Sequence, residues 1–145
     1  MRILLSILFA CLGIAAYAAD VVYLESTGNN GGTRVFAVTT PVREMQVETV
    51  DGKAKLKPEE QACRNLLNAI LFEGVENYND GMPLVANPND AYARSLVNPK
   101  NRTFMTYCKE VLLENSPDNK QAFHYIVLLN NYNLLRLLKM RGSIQ

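Results

Sequence analysis

One histidine and two cysteines are the side chains beyond residue 18 whose types suit nucleophilic chemistry. His124 could take the proton from a thiol at Cys63 or Cys108, because the thiolate is the reactive form of cysteine. No spacing among the three favours such a pair, and His124 stands in an apolar run typical of a central strand, where a histidine more often has a structural role. We therefore predict no catalytic residues and no enzymatic activity.

The two cysteines leave two structural alternatives open. A disulfide between Cys63 and Cys108 would close a long loop, which stabilises a fold by about 4 kcal/mol in the chain-entropy description. Two buried free thiols could instead fill space as small apolar side chains. Both cysteines have helical spacing, and the sequence does not give the distance between two helices. With one histidine and no Cys-x-x-Cys pair, we expect no metal site and no cofactor.

The N-terminal residues predict export. Arg2 precedes an apolar run over residues 3–14, and a small-x-small pattern ends at Ala18. We predict a signal peptide over residues 1–18, cleaved between Ala18 and Ala19, and a secreted or periplasmic mature protein. The run is shorter than the roughly 20 residues that a membrane-spanning helix needs. A bacterial lipobox ending at Cys11 is the alternative, and it would make the protein a lipoprotein.

Composition limits the classes of partner. Removal of residues 1–18 takes away Arg2 and leaves equal numbers of basic and acidic side chains. A balanced chain lacks the basic stripe that neutralises phosphates, so we expect no nucleic acid partner. Residues 19–145 contain no membrane span in this interpretation, and their length suits a single domain with its own core.

The mature chain begins with the pattern of a β-hairpin followed by a helix. Two runs rich in β-branched residues, 21–26 and 33–40, flank the glycine-rich turn 28–32. Residues 58–73 then show helical apolar spacing, with a proline in the first turn and Gly74 after the end.

The second half of the chain predicts a loop, a short helix, another hairpin and a last helix. The predicted segments are a loop over 75–89, a helix from Asp90 through Val97, helical spacing from Phe104 to Val111 leading into a strand, a central strand over 122–129 and a helix over 132–140. We therefore expect an α+β fold. Its small, mainly antiparallel sheet has about four strands in two hairpins and is packed by two or three helices.

The order of these elements resembles small exported envelope proteins of Gram-negative bacteria. In that group a hairpin precedes a helix of the form Ala-x-x-Asn-Ala that ends in Leu-Phe-x-Gly, and a Leu-Arg-x-x-Leu helix closes the chain. The matching residues here are Ala62, Asn65 or Asn68, Ala69, the run Leu71-Phe72-Glu73-Gly74 and the run Leu134-Leu135-Arg136-Leu137-Leu138, in similar but not identical spacing. The resemblance implies the fold and an envelope location, and it implies no activity.

Three functional hypotheses follow. The first is an exported, non-catalytic accessory or interaction protein of the bacterial envelope, which docks on another envelope protein through a sheet edge or the 75–89 loop. The second is a small-ligand or glycan-binding module, because aromatic faces combined with amides and carboxylates suit sugars. The candidate ligand or partner surface is formed by Tyr78, Asn79, Asp80 and Tyr92. The third is a hydrolase that uses a cysteine and His124.

Overall fold

The structure is a computed structural model that describes residues 20–41, 56–101, 103–115 and 122–145. The predicted signal peptide, its Ala18–Ala19 cleavage site and the lipobox cysteine Cys11 lie outside the described residues. The strands are β1 (Asp20–Thr27), β2 (Thr33–Pro41), β3 (Cys108–Asn115) and β4 (Ala122–Asn130), and the helices are α1 (Pro58–Asn68), α2 (Ala91–Leu96) and α3 (Asn131–Met140).

The four strands form one antiparallel sheet in the order β1-β2-β4-β3. Both predicted hairpin pairings are present, and β4 is central as its two apolar faces indicated. With three helices packed around this sheet, the predicted α+β fold is confirmed. Within the described part of the chain, none of the helices is long and apolar enough to cross a membrane.

The core lies between α1 and one face of the sheet. Phe36 pairs with Val127 and Val38 with Tyr125, so these four side chains share a face, and all are nearly or fully buried. On α1 the buried face includes Cys63, Leu66 and Leu67. A network of such contacts is the main source of stability for a domain of this size.

The prediction of helical structure from Phe104 to Val111 is wrong. Only a short 3-10 turn, Thr103–Thr106, is formed, and β3 already begins at Cys108. A register shift between Cys108 and Glu110 places both Cys108 and Val111 opposite core-facing residues of β4. The bulge therefore gives strand residues a three-residue spacing that resembles a helix.

The long helix predicted over residues 58–73 is present, but its last turn is a π-helix, Ala69–Glu73. The amide of Gly74 reaches back to the carbonyl of Ala69 (2.8 Å) instead of that of Ile70. The carbonyl of Ile70 then accepts a hydrogen bond from the amide of Leu84 (2.9 Å), and that of Leu71 from the amide of Val85 (3.2 Å). The π turn thereby fixes the far end of the 75–89 loop against α1.

Candidate binding cleft

An open cleft with a volume of about 840 Å³ lies between the 75–89 loop and α3 with the residues that follow it. Three segments remote in sequence build it: the first hairpin supplies the floor, the loop supplies one wall, and α3 with the C-terminal residues supplies the other. Its lining comprises Tyr23, Arg34, Asn77, Tyr78, Asn79, Leu84, Ala86, Asn87, Asp90, Asn131, Leu135, Lys139, Gly142, Ser143, Ile144 and Gln145.

Tyr78 anchors the loop to the rest of the fold. Its hydroxyl donates a buried hydrogen bond to the Oδ1 atom of Asn131 (2.6 Å). Its ring packs on Phe36 and Tyr23, with centroid distances of 5.3 and 6.0 Å. Burial raises the pKa of Tyr78 far above its ordinary value, although nearby Arg34 opposes that rise, so the phenol stays a neutral donor.

The turn at the mouth of the cleft depends on residues that tolerate left-handed backbone. Asn77, Asn79 and Asp80 all have positive φ angles, which asparagine and aspartate adopt more readily than most residues. The side-chain amide of Asn79 donates to the carbonyls of Met82 (2.9 Å) and Pro83 (3.3 Å), which closes the turn. The shape of this wall is therefore set by local hydrogen bonds as well as by Tyr78.

Asp90 joins two elements at the other end of the cleft. Its Oδ1 atom accepts a hydrogen bond from the amide of Ala93 (2.9 Å), which caps α2, and another from the hydroxyl of Ser143 (2.8 Å). These bonds, led by the one from Ala93, lower the pKa of Asp90 below its ordinary value. The C-terminal wall is thus held by an ionised carboxylate.

Replacing Asp90 with asparagine is expected to reduce the acid sensitivity of the fold. The lowered pKa means that the stabilisation is complete above the unfolded-state value of about 3.9 and disappears as the pH falls through the lower folded-state value. The asparagine side chain would keep an Oδ1 acceptor but have no charge to lose. Thermal unfolding measured from about pH 5 down to about pH 2 should therefore give a shallower decline for the variant. Parallel curves for the two proteins would contradict this role of Asp90.

The cleft carries more positive than negative side chains, although the chain as a whole is nearly balanced. Its described lining includes two cations, Arg34 and Lys139, and one carboxylate, Asp90. The guanidinium of Arg34 donates to the carbonyl of Gly31, which holds it at the base of the hairpin loop. Lys139 is exposed near the end of α3. An anionic group entering the cleft could pair with either of these two cations.

The structure separates the four predicted surface residues. Tyr78 and Asn79 line the cleft, but Asp80 is exposed on the turn beyond its lining. Tyr92 lies elsewhere, with its hydroxyl 3.4 Å from that of Tyr107 and the guanidinium of Arg141 5.1 Å from its ring centre.

Sequence reasoning missed Arg34, Lys139 and Asn131 as cleft residues. The alternation of side chains along β2 gives one indication for Arg34, because it places this residue on the same face as the buried Phe36 and Val38. For Lys139 and Asn131 the sequence holds no comparable signal, since their place in the cleft follows from how α3 docks.

The cysteines and the histidine occupy opposite faces of the sheet. Cys63, on the buried face of α1, and Cys108, opposite Leu129 on β4, both face the core, where hydrogen bonding to Cys63 and burial raise the pKa of Cys108 well above its ordinary value. His124 stands opposite Thr39 on the other face, with its Nδ1 atom 3.2 Å from the Thr39 hydroxyl. Among the described residues, no group of three or more potential metal ligands is found.

Comparison of the chain with models of known protein families, with curated proteins and with solved structures finds no match in any of the three. The functional argument therefore rests on the geometry of the cleft. The resemblance to Gram-negative envelope proteins stays a prediction.

Proposed function

We propose that this chain is an exported, non-catalytic interaction protein of the bacterial cell envelope, and that it holds a segment of another envelope protein in the cleft. The observation that carries the proposal is the open cleft of about 840 Å³, lined mainly by amides, hydroxyls and two cations. Such a lining offers hydrogen bonds and charge to an extended polypeptide. The part of the proposal that concerns export rests on the predicted signal peptide.

A cleft with fixed walls favours binding, because little conformational entropy is lost when a ligand enters. One wall is held by the Tyr78–Asn131 hydrogen bond and by the two backbone bonds from Leu84 and Val85 to the π turn. The opposite wall is held by the Asp90–Ser143 hydrogen bond. These contacts tie the site to the core.

The arrangement of the nucleophilic residues supports a non-catalytic role. A Cys/His hydrolase needs its base within hydrogen-bond reach of the thiol. Here the sheet separates His124 from Cys108, and the raised pKa of Cys108 keeps its thiol protonated near neutral pH. The cysteines also lie outside the lining of the cleft.

The edges of the sheet are poorly suited to the addition of a further strand. Strand β1 has a register shift between Tyr23 and Glu25, and β3 has two, one near each end. Exposed charges on β3 include Lys109 and Glu110. Bulges and charges at an edge discourage the addition of a further strand from another chain.

The charge of the cleft indicates an acidic segment as its occupant. Arg34 and Lys139 approach from different elements, so a ligand lying along the cleft could pair carboxylates with both. The asparagine side chains of the lining can hydrogen-bond the peptide groups of such a ligand. The partner segment is therefore expected to carry at least one aspartate or glutamate.

A glycan-binding module is the second candidate, favoured by the four asparagines of the lining, Asn77, Asn79, Asn87 and Asn131. Against it, the ring of Tyr78 is packed on Phe36 and only 5% of the residue is exposed, so this ring presents little face for stacking. The peptide proposal accounts for the two cations more directly.

Site-specific photo-crosslinking in cells of the source organism tests the proposal. A photoreactive residue at Asn87, which is exposed in the cleft, should yield one discrete crosslinked protein. The same residue at Leu112, on the β3 edge, or at Lys100, also exposed but outside the cleft, should not. A crosslink confined to Leu112 would contradict docking in the cleft, and equal products at all three positions would indicate non-specific contact.

A further inference from the structure

Two cysteines that belong to different secondary-structure elements face the same core. Cys63 lies within α1 and is fully buried, whereas Cys108 is the first residue of the edge strand β3 and is half-buried. Cys63 belongs to the buried face of α1, and Cys108 stands opposite the fully buried Leu129 of β4, so both side chains enter the same core, where they are close enough to interact. We infer that Cys63 and Cys108 form a thiol–disulfide exchange site, which an oxidised dithiol protein or a small disulfide such as oxidised glutathione converts into a cross-link between α1 and β3.

The backbone on both sides of this pair is already held in place. Cys108 stands opposite Leu129 in the β3–β4 ladder, and the carbonyl of the preceding Tyr107 accepts a hydrogen bond of 2.7 Å from the amide of Asn130. Cys63 faces it from the buried side of α1. A disulfide requires two Cβ atoms that are close and point toward each other, and two cysteines that face the same core from α1 and β3 are arranged for such an approach.

The exposure of the two residues sets the order of the reaction. Because the pKa of the Cys108 thiol is raised, the exchange is slow near neutral pH and faster in alkaline solution. Once this thiol loses its proton, its sulfur attacks one sulfur of the incoming disulfide, which releases one thiolate and leaves a mixed disulfide at Cys108. The Cys63 thiol then loses its proton and attacks the Cys108 sulfur, which expels the second thiolate. The protein gives up two protons and two electrons, and the incoming disulfide is reduced to two thiols.

The cross-link would constrain the segment that forms one wall of the cleft, because the chain between the two cysteines contains the π turn, the 75–89 loop and α2. A disulfide between residues 63 and 108 restricts the conformations of the unfolded chain over this whole segment. We expect oxidation to raise the midpoint of thermal unfolding by about 10 °C. This inference does not depend on which partner occupies the cleft.

The test uses the full chain with Cys11→Ser, so that two cysteines remain. The purified, reduced protein is incubated to equilibrium in an alkaline mixture of oxidised and reduced glutathione. Its free thiols are then alkylated under denaturing conditions, and the mass of the product is measured by mass spectrometry. We expect a species two hydrogens lighter that takes up no alkyl group. Two alkylated cysteines, or a product that stops with glutathione attached to Cys108, would overturn the inference.

Single variants check the order of attack. Cys63→Ser should stop at the mixed disulfide, with glutathione on Cys108, because no second thiol resolves it. Cys108→Ser should react far more slowly, because its remaining thiol is fully buried. Faster reaction in Cys108→Ser than in Cys63→Ser would contradict Cys108 as the entry point.

Discussion

Replacing Gly74 with alanine is expected to destabilise the fold by about 3–5 kcal/mol, since it combines backbone strain with a clash against main chain. Gly74 has a φ angle of +91°, and an added Cβ would lie 2.3 Å from the carbonyl oxygen of Gly81. The clash cannot be relieved by rotating a side chain. The loop would have to move away from the π turn that fixes it.

Gly142 provides the matched control. Its φ angle is also positive, +76°, but an added Cβ would meet nothing within 4 Å. Gly142→Ala should therefore cost only about 1–2 kcal/mol. The larger loss expected at Gly74 combines the clash with Gly81 and the extended ψ angle of 145°, which is unfavourable for any residue but glycine at positive φ. Urea unfolding gives both values, and equal losses of stability would contradict the close approach of the loop.

Much of the fold follows from local sequence signals. The first hairpin is marked by two β-branched runs around a glycine-rich turn, and α1 by Pro58 and its apolar spacing. The caps of α2 and α3 are Asp90 and Asn130, both residues whose side chains accept backbone hydrogen bonds. Such features depend on neighbours in the chain, which the sequence displays directly.

The features that were missed depend on contacts between distant residues. The bulge that puts Cys108 and Val111 on one face is set by pairing with β4, so their spacing alone suggested a helix. Tyr78 lies in a polar loop, and its burial depends on Phe36 and on Asn131, which is 53 residues away. The cleft was predicted only through Tyr78 and Asn79, since its other walls come from separate segments.

Reversing the charge of Lys139 is expected to weaken partner docking strongly. Lys139→Glu would replace a cation that can pair with an acidic segment by a carboxylate that repels it. An effect near 1.4 kcal/mol corresponds to about tenfold in affinity. The exposed position means that little fold stability should be lost. The loss of affinity should shrink at high salt, because screening weakens exposed charge interactions.

Arg136→Glu is the matched control, since Arg136 is exposed on the same helix but does not line the cleft. Both substitutions change the net charge of the protein equally. They differ only in where the charge lies, so a general effect of net charge would appear in both.

The most direct measurement is the yield of the Asn87 photo-crosslink in cells that carry Lys139→Glu or Arg136→Glu. The account predicts a yield about tenfold lower for Lys139→Glu and a nearly unchanged yield for Arg136→Glu. Equal yields in the two variants, or a discrete product that forms from Leu112 and not from Asn87, would contradict docking of an acidic partner segment in this cleft.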